Sequence, residues 1–224
     1  DADLAVDDLL LNLGQGLSYK EVPILTELLN ETSSSQSQVE ANIIFSGSNR
    51  DPWTAYVGDS SDWHKVVSGQ STATPYGALT VTTVDGIVQE DSRMLSWTGG
   101  HESQFYWQAQ APSDLSQLAV NNGALMMTFK VDKHPVGTIT QRMDCGWPCS
   151  GSIGMTDFFS SIPEGQWSTV GISLECFSKV GVDLNKVTSP LVLVSKEPFV
   201  ITFNDVRVVP NAPEKSLINC DPSS

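Results

Sequence analysis

Short apolar runs, separated by clusters of Gly, Pro, Asn, Asp and Ser, fill the chain from Ala41 to Val209. Ala41 to Phe45, Trp53 to Val57, Trp63 to Val67, Leu79 to Val84, Ile87 to Glu90, Arg93 to Trp97, Gln104 to Gln108, Leu125 to Val131, Gly137 to Met143, Val170 to Leu174, Leu191 to Val194 and Phe199 to Val209 have the β-branched and aromatic content of strands. Helical signals almost vanish here, so the pattern predicts an all-β sandwich or jelly roll rather than alternating strands and helices. No repeat of fixed period is visible, which disfavours a propeller or solenoid.

Successive strand residues point to opposite faces, so parity assigns side chains to core or surface. Phe105 and Trp107 share one parity and read as core, whereas Gln104, Tyr106 and Gln108 share the other. On the run ending at Trp97, Asp91 and Arg93 sit on the parity of Leu95 and Trp97, as a partly buried ion pair or a polar concave surface. Phe199, Ile201 and Phe203 keep one parity and Val206 and Val208 take the other, which predicts a β-bulge near Asn204-Asp205. Thr156 is placed to cap a helical turn over Asp157 to Ile162.

The segment before Ala41 differs in kind. Asp1 to Tyr19 is acidic and Leu-rich, and Asn30 to Gln38 (NETSSSQSQ) is a polar linker with too little apolar surface to offset its ordering entropy. The expected organisation is therefore a domain remnant over 1–29, a linker over 30–38, a sandwich over 39–212 and a tail over 213–224 pinned by Cys220. Asn30-Glu31-Thr32 matches an N-glycosylation sequon but reads as linker chemistry.

Charge narrows the partners. With 26 acidic against 12 basic residues, the formal net charge is -14, a field that repels phosphate backbones and anionic membrane surfaces and leaves a neutral ligand such as a sugar unopposed. Nucleic acid is not expected as a partner. The sequence has neither an apolar run long enough for a membrane span nor a signal-peptide pattern, and it reads as beginning mid-protein or after processing.

The four cysteines, Cys145, Cys149, Cys176 and Cys220, imply one or two disulfides and an oxidising compartment. Cys145 and Cys149 close a loop around Gly146, Trp147 and Pro148, a spacing unlike a redox C-x-x-C, and His64, His101 and His134 are scattered, so no zinc is expected. Asn204 and Asp205 offer oxygen ligands without a carboxylate opposite, so neither is calcium, and no cofactor is expected. There is no nucleophile elbow, phosphate loop or H-E-x-x-H, and catalysis by this chain is not expected.

Aromatic rings beside amides and carboxylates suit sugars, because the apolar pyranose face lies on the ring while polar groups take the hydroxyls. Gln104, Tyr106 and Gln108 fit that description, against the alternative of a solvent-facing strand with ordinary polar residues. Trp147, mounted in its cysteine loop, is a second candidate, against a tryptophan covering the end of the sandwich. Asp91 and Arg93 are a third, against a structural pair.

Several segments carry a resemblance. Leu11 to Tyr19, LNLGQGLSY, resembles the FPFGYGLSY-type signature closing the α/β-sandwich domain of glycoside hydrolase family 3 enzymes, departing at the aromatic positions. VQEDSRMLSW (Val88 to Trp97), MDCGWPCSG (Met143 to Gly151), QWSTVGISLECF (Gln166 to Phe177), TSPLVLVS (Thr188 to Ser195) and ITFNDVRVV (Ile201 to Val209) resemble, in order, the extra C-terminal domain of bacterial exo-1,3/1,4-β-glucanases of that family. Ser61-Asp62-Trp63 also resembles the family's nucleophile motif, but that motif belongs to a (β/α)8 barrel, and here it reads as a turn before a strand.

The resemblance implies a galactose-binding-like β-sandwich (jelly roll), similar to carbohydrate-binding modules and following the catalytic domains of an exported β-glucan exohydrolase. Its location would be periplasmic, outer-membrane-associated or extracellular. Its partners would be β-glucan, bound weakly or only with the parent enzyme, and the catalytic domains of the same polypeptide. The first reading is a non-catalytic scaffold beside the catalytic pocket that contributes to substrate approach. An autonomous carbohydrate-binding module and an exported adhesive or inhibitory sandwich remain as alternatives. The expected pairing is Cys145 with Cys149, leaving Cys176 to bond Cys220.

Overall fold

Inward apolar and outward polar side chains fold the chain into two antiparallel sheets packed face to face. The computed structural model describes residues 41–87 and 91–218, which lie within the second of two units of the chain, Val39–Ser224. The strands are β1 (Asn42–Ser46), β2 (Ser48–Asn49), β3 (Thr54–Asp59), β4 (Asp62–Val66), β5 (Ser71–Ala73), β6 (Leu79–Val84), β7 (Ser92–Trp97), β8 (Ser103–Gln108), β9 (Ala124–Lys133), β10 (Ile139–Asp144), β11 (Ser150–Gly154), β12 (Trp167–Ser173), β13 (Ser189–Ser195) and β14 (Phe199–Val209). The eight-stranded sheet runs β12-β9-β14-β7-β6-β5, with β1 beside β14 and β2 beside β1; the six-stranded sheet runs β11-β10-β13-β8-β3-β4.

Parity reads the core correctly. Phe105, Trp107, Leu191 and Leu193 of the smaller sheet and Phe129, Val131, Ile201 and Phe203 of the larger are fully buried. Trp107 meets Phe105 edge-on at 4.5 Å between centroids, and its ring nitrogen donates to Asn49 Oδ1 at 2.9 Å. Each such side chain stabilises the fold by about 1.5–3 kcal/mol through burial.

The expected bulge lies on β14, where Phe203 faces Phe129 but Asp205 faces Thr128, so Asn204 is the extra residue. It also marks a change of partner: β14 pairs with β7 from Phe199 to Phe203 and with β1 from Asp205 to Val208. Asn204 fills the break, donating from Nδ2 to Asp91 Oδ2 at 2.8 Å and Ser92 Oγ at 3.2 Å.

Several local expectations are corrected. Helix α2 (Thr156–Ser161) forms, but Met155 is its N-cap, because the Thr156 hydroxyl accepts from the Ile139 N–H instead. Strand β12 ends at Ser173, whose side chain accepts from the Glu175 N–H and starts α3 (Leu174–Lys179). That helix and α1 (Ser116–Val120) have no counterpart in the strand-dominated reading, nor do the short strands β2, β5 and β11.

Ile87 lies in a bend, while residues 88–90, expected to extend it as a strand, fall outside the described residues, as do segments 1–29 and 30–38. The described part of the tail docks on β12, with the Ile218 N–H donating to the Gly171 carbonyl at 2.8 Å. Cys145 and Cys149 are bonded to each other. Cys176 is also disulfide-bonded, and Cys220, its expected partner, lies outside the described residues.

Candidate functional site

The outer face of the six-stranded sheet carries two adjoining depressions of about 240 and 530 Å³ that share Trp63, Gln104 and Trp147 in their walls. Together they form a groove flanked by tryptophan on both sides. Strand β8 supplies its floor, because Gln104, Tyr106 and Gln108 point away from the core that Phe105 and Trp107 fill.

Trp147 rises from the loop between β10 and β11. The disulfide closes that loop, the Cys145 N–H donates to the Cys149 carbonyl at 2.9 Å, and the Gly146 N–H donates to Thr188 Oγ1 at 3.1 Å. Gly146, at φ 86°, supplies the left-handed turn this path requires. With its base fixed, the indole stands 94% exposed. It does not cover the end of the sandwich.

On the other side, Trp63 sits on the β3–β4 hairpin and is 43% exposed. Asp59 anchors the hairpin, accepting from the Ser61 N–H at 2.9 Å and the Tyr76 N–H at 2.8 Å. Burial alone would raise this carboxyl's pKa, but the N–H groups of Tyr76 and Ser61, the Thr74 hydroxyl and the Asp62 N–H together hold it below the ordinary value. Gly58 allows close approach: a Cβ there would lie 2.4 Å from the Trp63 carbonyl oxygen. Asp62 Oδ1 accepts from the His64 N–H, a turn contact of the kind the sequence suggests.

Tyr106 lies largely beneath the surface of the groove. It is only 5% exposed and stacks on Tyr56 at 5.3 Å, which in turn stacks on His64 at 4.1 Å. Its hydroxyl donates to the Trp63 carbonyl at 2.8 Å, so it accepts from His64 Nδ1 at 2.7 Å. Burial, then the neighbouring Tyr56, Asp62 and Asp144, push the phenol's pKa far up, and it remains a neutral donor.

On β10, Arg142 grips Asp144 with two hydrogen bonds, Nε to Oδ1 at 2.6 Å and Nη2 to Oδ2 at 3.0 Å, and Nη2 also donates to Gln104 Oε1 at 3.2 Å. Residues two apart on a strand share a face, which is why this pair lies beside the floor.

Residues 51–208 match the model of the Exop_C family, described as galactose-binding domain-like. The chain belongs to the Exop_C family. This Exop_C domain is similar to the extra C-terminal domain of an exo-1,3/1,4-β-glucanase (ExoP) from a Pseudoalteromonas species, with 18% identity and a TM-score of 0.67 over 80% of this chain and 99% of that one. Against the larger ExoP chain the identity is 21% and the TM-score 0.67, covering 83% of this chain and 22% of that one, so the domain spans about a fifth of it. A family 30 carbohydrate-binding module of the cellulosomal cellulase Cel9D-Cel44B of Clostridium thermocellum matches at 19% identity and TM-score 0.54, over 78% of this chain and 100% of that one. At these identities the likenesses show the galactose-binding-like sandwich. No curated protein sequence matches the chain.

Of the sequence candidates, Gln104, Tyr106, Gln108 and Trp147 converge on the groove, whereas Arg93 lies on β7 of the eight-stranded sheet and Asp91 immediately precedes that strand. Asp91 Oδ1 accepts from the Gly86 N–H, and the half-buried Arg93 guanidinium lies over the Phe45 ring at 5.5 Å. Asp91 also accepts from Asn204 at the bulge. Trp63, His64, Arg142 and Asp144 are groove residues that sequence reasoning did not single out for binding. Among the described residues no helix is long and apolar enough to cross a membrane, and no group of three His, Cys, Asp or Glu could hold a metal ion.

Proposed function

We propose that this domain is a non-catalytic carbohydrate-binding accessory domain of an exported β-glucan exohydrolase of glycoside hydrolase family 3, and that it holds a glucan chain in the groove between Trp63 and Trp147. The exposed, disulfide-mounted indole of Trp147 carries this reading. A rigid ring held in water loses little entropy when it meets a ligand, and an apolar sugar face is what it can cover. The amides of Gln104 and Gln108 and the Asp144 carboxylate supply hydroxyl partners beside it. The disulfides and the ExoP likeness support export to the periplasm, the outer-membrane surface or the medium.

A second reading, a scaffold beside the catalytic pocket of the same polypeptide, is favoured by the fact that the matching region is 22% of the ExoP chain. In that arrangement the groove guides substrate only when the catalytic domains are attached. Titrating the isolated chain with laminarin and cello-oligosaccharides separates the two readings. A shift in tryptophan fluorescence supports autonomous binding. No shift and no heat at millimolar sugar leaves the scaffold.

A further inference from the structure

We propose that the Arg142–Asp144 pair is a specificity filter that makes the groove take uncharged polysaccharide and reject anionic polysaccharide of the same backbone. The inference rests on the carbohydrate-binding reading above and narrows its ligand class. Among the described residues lining the groove, Arg142 is the only lysine or arginine, and the carboxylates are Asp144 and Glu102. Arg142 spends two of its hydrogen bonds on Asp144, and both side chains are about three-quarters buried, with 28% and 24% exposed. A uronate or sulfate entering the groove finds its one guanidinium already neutralised in bidentate geometry by Asp144 and meets the uncompensated carboxylate of Glu102. The whole chain, at -14, adds to that repulsion.

The same pair sets the hydrogen-bonding sense of the floor. Arginine only donates, so the Gln104 oxygen faces Arg142 and its NH₂ is the end left for a ligand. The groove then presents amide donors from Gln104 beside the carboxylate acceptors of Asp144. Sugar hydroxyls both accept and donate and satisfy the two together, whereas an anionic group satisfies only the amide.

The test is calorimetric titration of the full 224-residue chain with two matched pairs, hydroxyethyl cellulose against carboxymethyl cellulose and laminarin against carboxymethylated laminarin, at low ionic strength. The neutral member should bind at least about tenfold tighter, and added salt should shrink that ratio. Asp144→Asn, which frees the guanidinium, should reduce the ratio severalfold. Glu175→Gln makes the same change of charge on α3, outside the groove, and should leave it unaltered. Arg142→Met should widen the ratio and serves if Asp144→Asn does not fold, as judged by its melting curve. Equal binding of both members, or an equal effect of Asp144→Asn and Glu175→Gln, overturns the filter while leaving carbohydrate binding intact. Failure of every polysaccharide to bind overturns both.

Discussion

The Tyr106 hydroxyl donates to the carbonyl of Trp63 across 2.8 Å, joining the floor of the groove to its wall. The tyrosine that parity placed on the outer face therefore acts as a buttress beneath the tryptophan. Tyr106→Phe removes this bond and leaves His64 Nδ1 without its partner, at a cost of about 1–2 kcal/mol. Denaturant unfolding should show that loss, with weaker sugar binding as the hairpin loosens.

Trp147→Ala separates binding from stability. With the ring 94% exposed, truncation should change stability by no more than about 0.5 kcal/mol. Glucan affinity should nevertheless fall by about tenfold or more, as for loss of an aromatic anchor. Paired melting and titration curves check both halves.

Asp59 should give the domain an acid-sensitive hairpin. Its folded pKa is depressed, so its contribution is fully present above the unfolded value of about 3.9 and is lost as pH falls through the lower folded value. Asp59→Asn should melt at a lower temperature at neutral pH and lose less than the wild type below about pH 4. Melting temperature against pH for the two proteins measures this.

Replacing Cys145 and Cys149 by alanine removes a cross-link closing a loop of five residues, worth about 2 kcal/mol by chain entropy. The Trp147 mount loosens with it, so affinity should fall together with stability. The Trp147→Ala change should lower affinity alone.

The strand pattern made the sandwich legible because a β-strand encodes burial in every second residue. Phe105 and Trp107 against Gln104 and Gln108 show that code at work, and the parity change after Phe203 exposed the bulge. What stayed hidden lacked a period. Strand β11, Ser150–Gly154, is Gly- and Ser-rich and pairs only because β10 is beside it. Helix α3 is a capped helix of only six residues following a strand of the same apolar character. In the groove, Trp147 was conspicuous through its cysteines. Trp63 was not, because β4 is exposed throughout and shows no alternation, and its signal, an aromatic on a polar edge strand, was absorbed by turn chemistry. Asp91 looked like a ligand group but braces the break in β14, through a contact more than a hundred residues away in sequence, from Asn204 to Asp91, while Arg93 lies over the Phe45 ring.

Whether the two tryptophans hold glucan between them is decided by calorimetric titration of the intact chain with laminari- and cello-oligosaccharides, repeated with Trp63→Ala and Trp147→Ala. The wild type should give a saturable heat, and each tryptophan change should reduce its affinity by about tenfold or more. Wild-type binding that survives both changes undiminished would contradict that role.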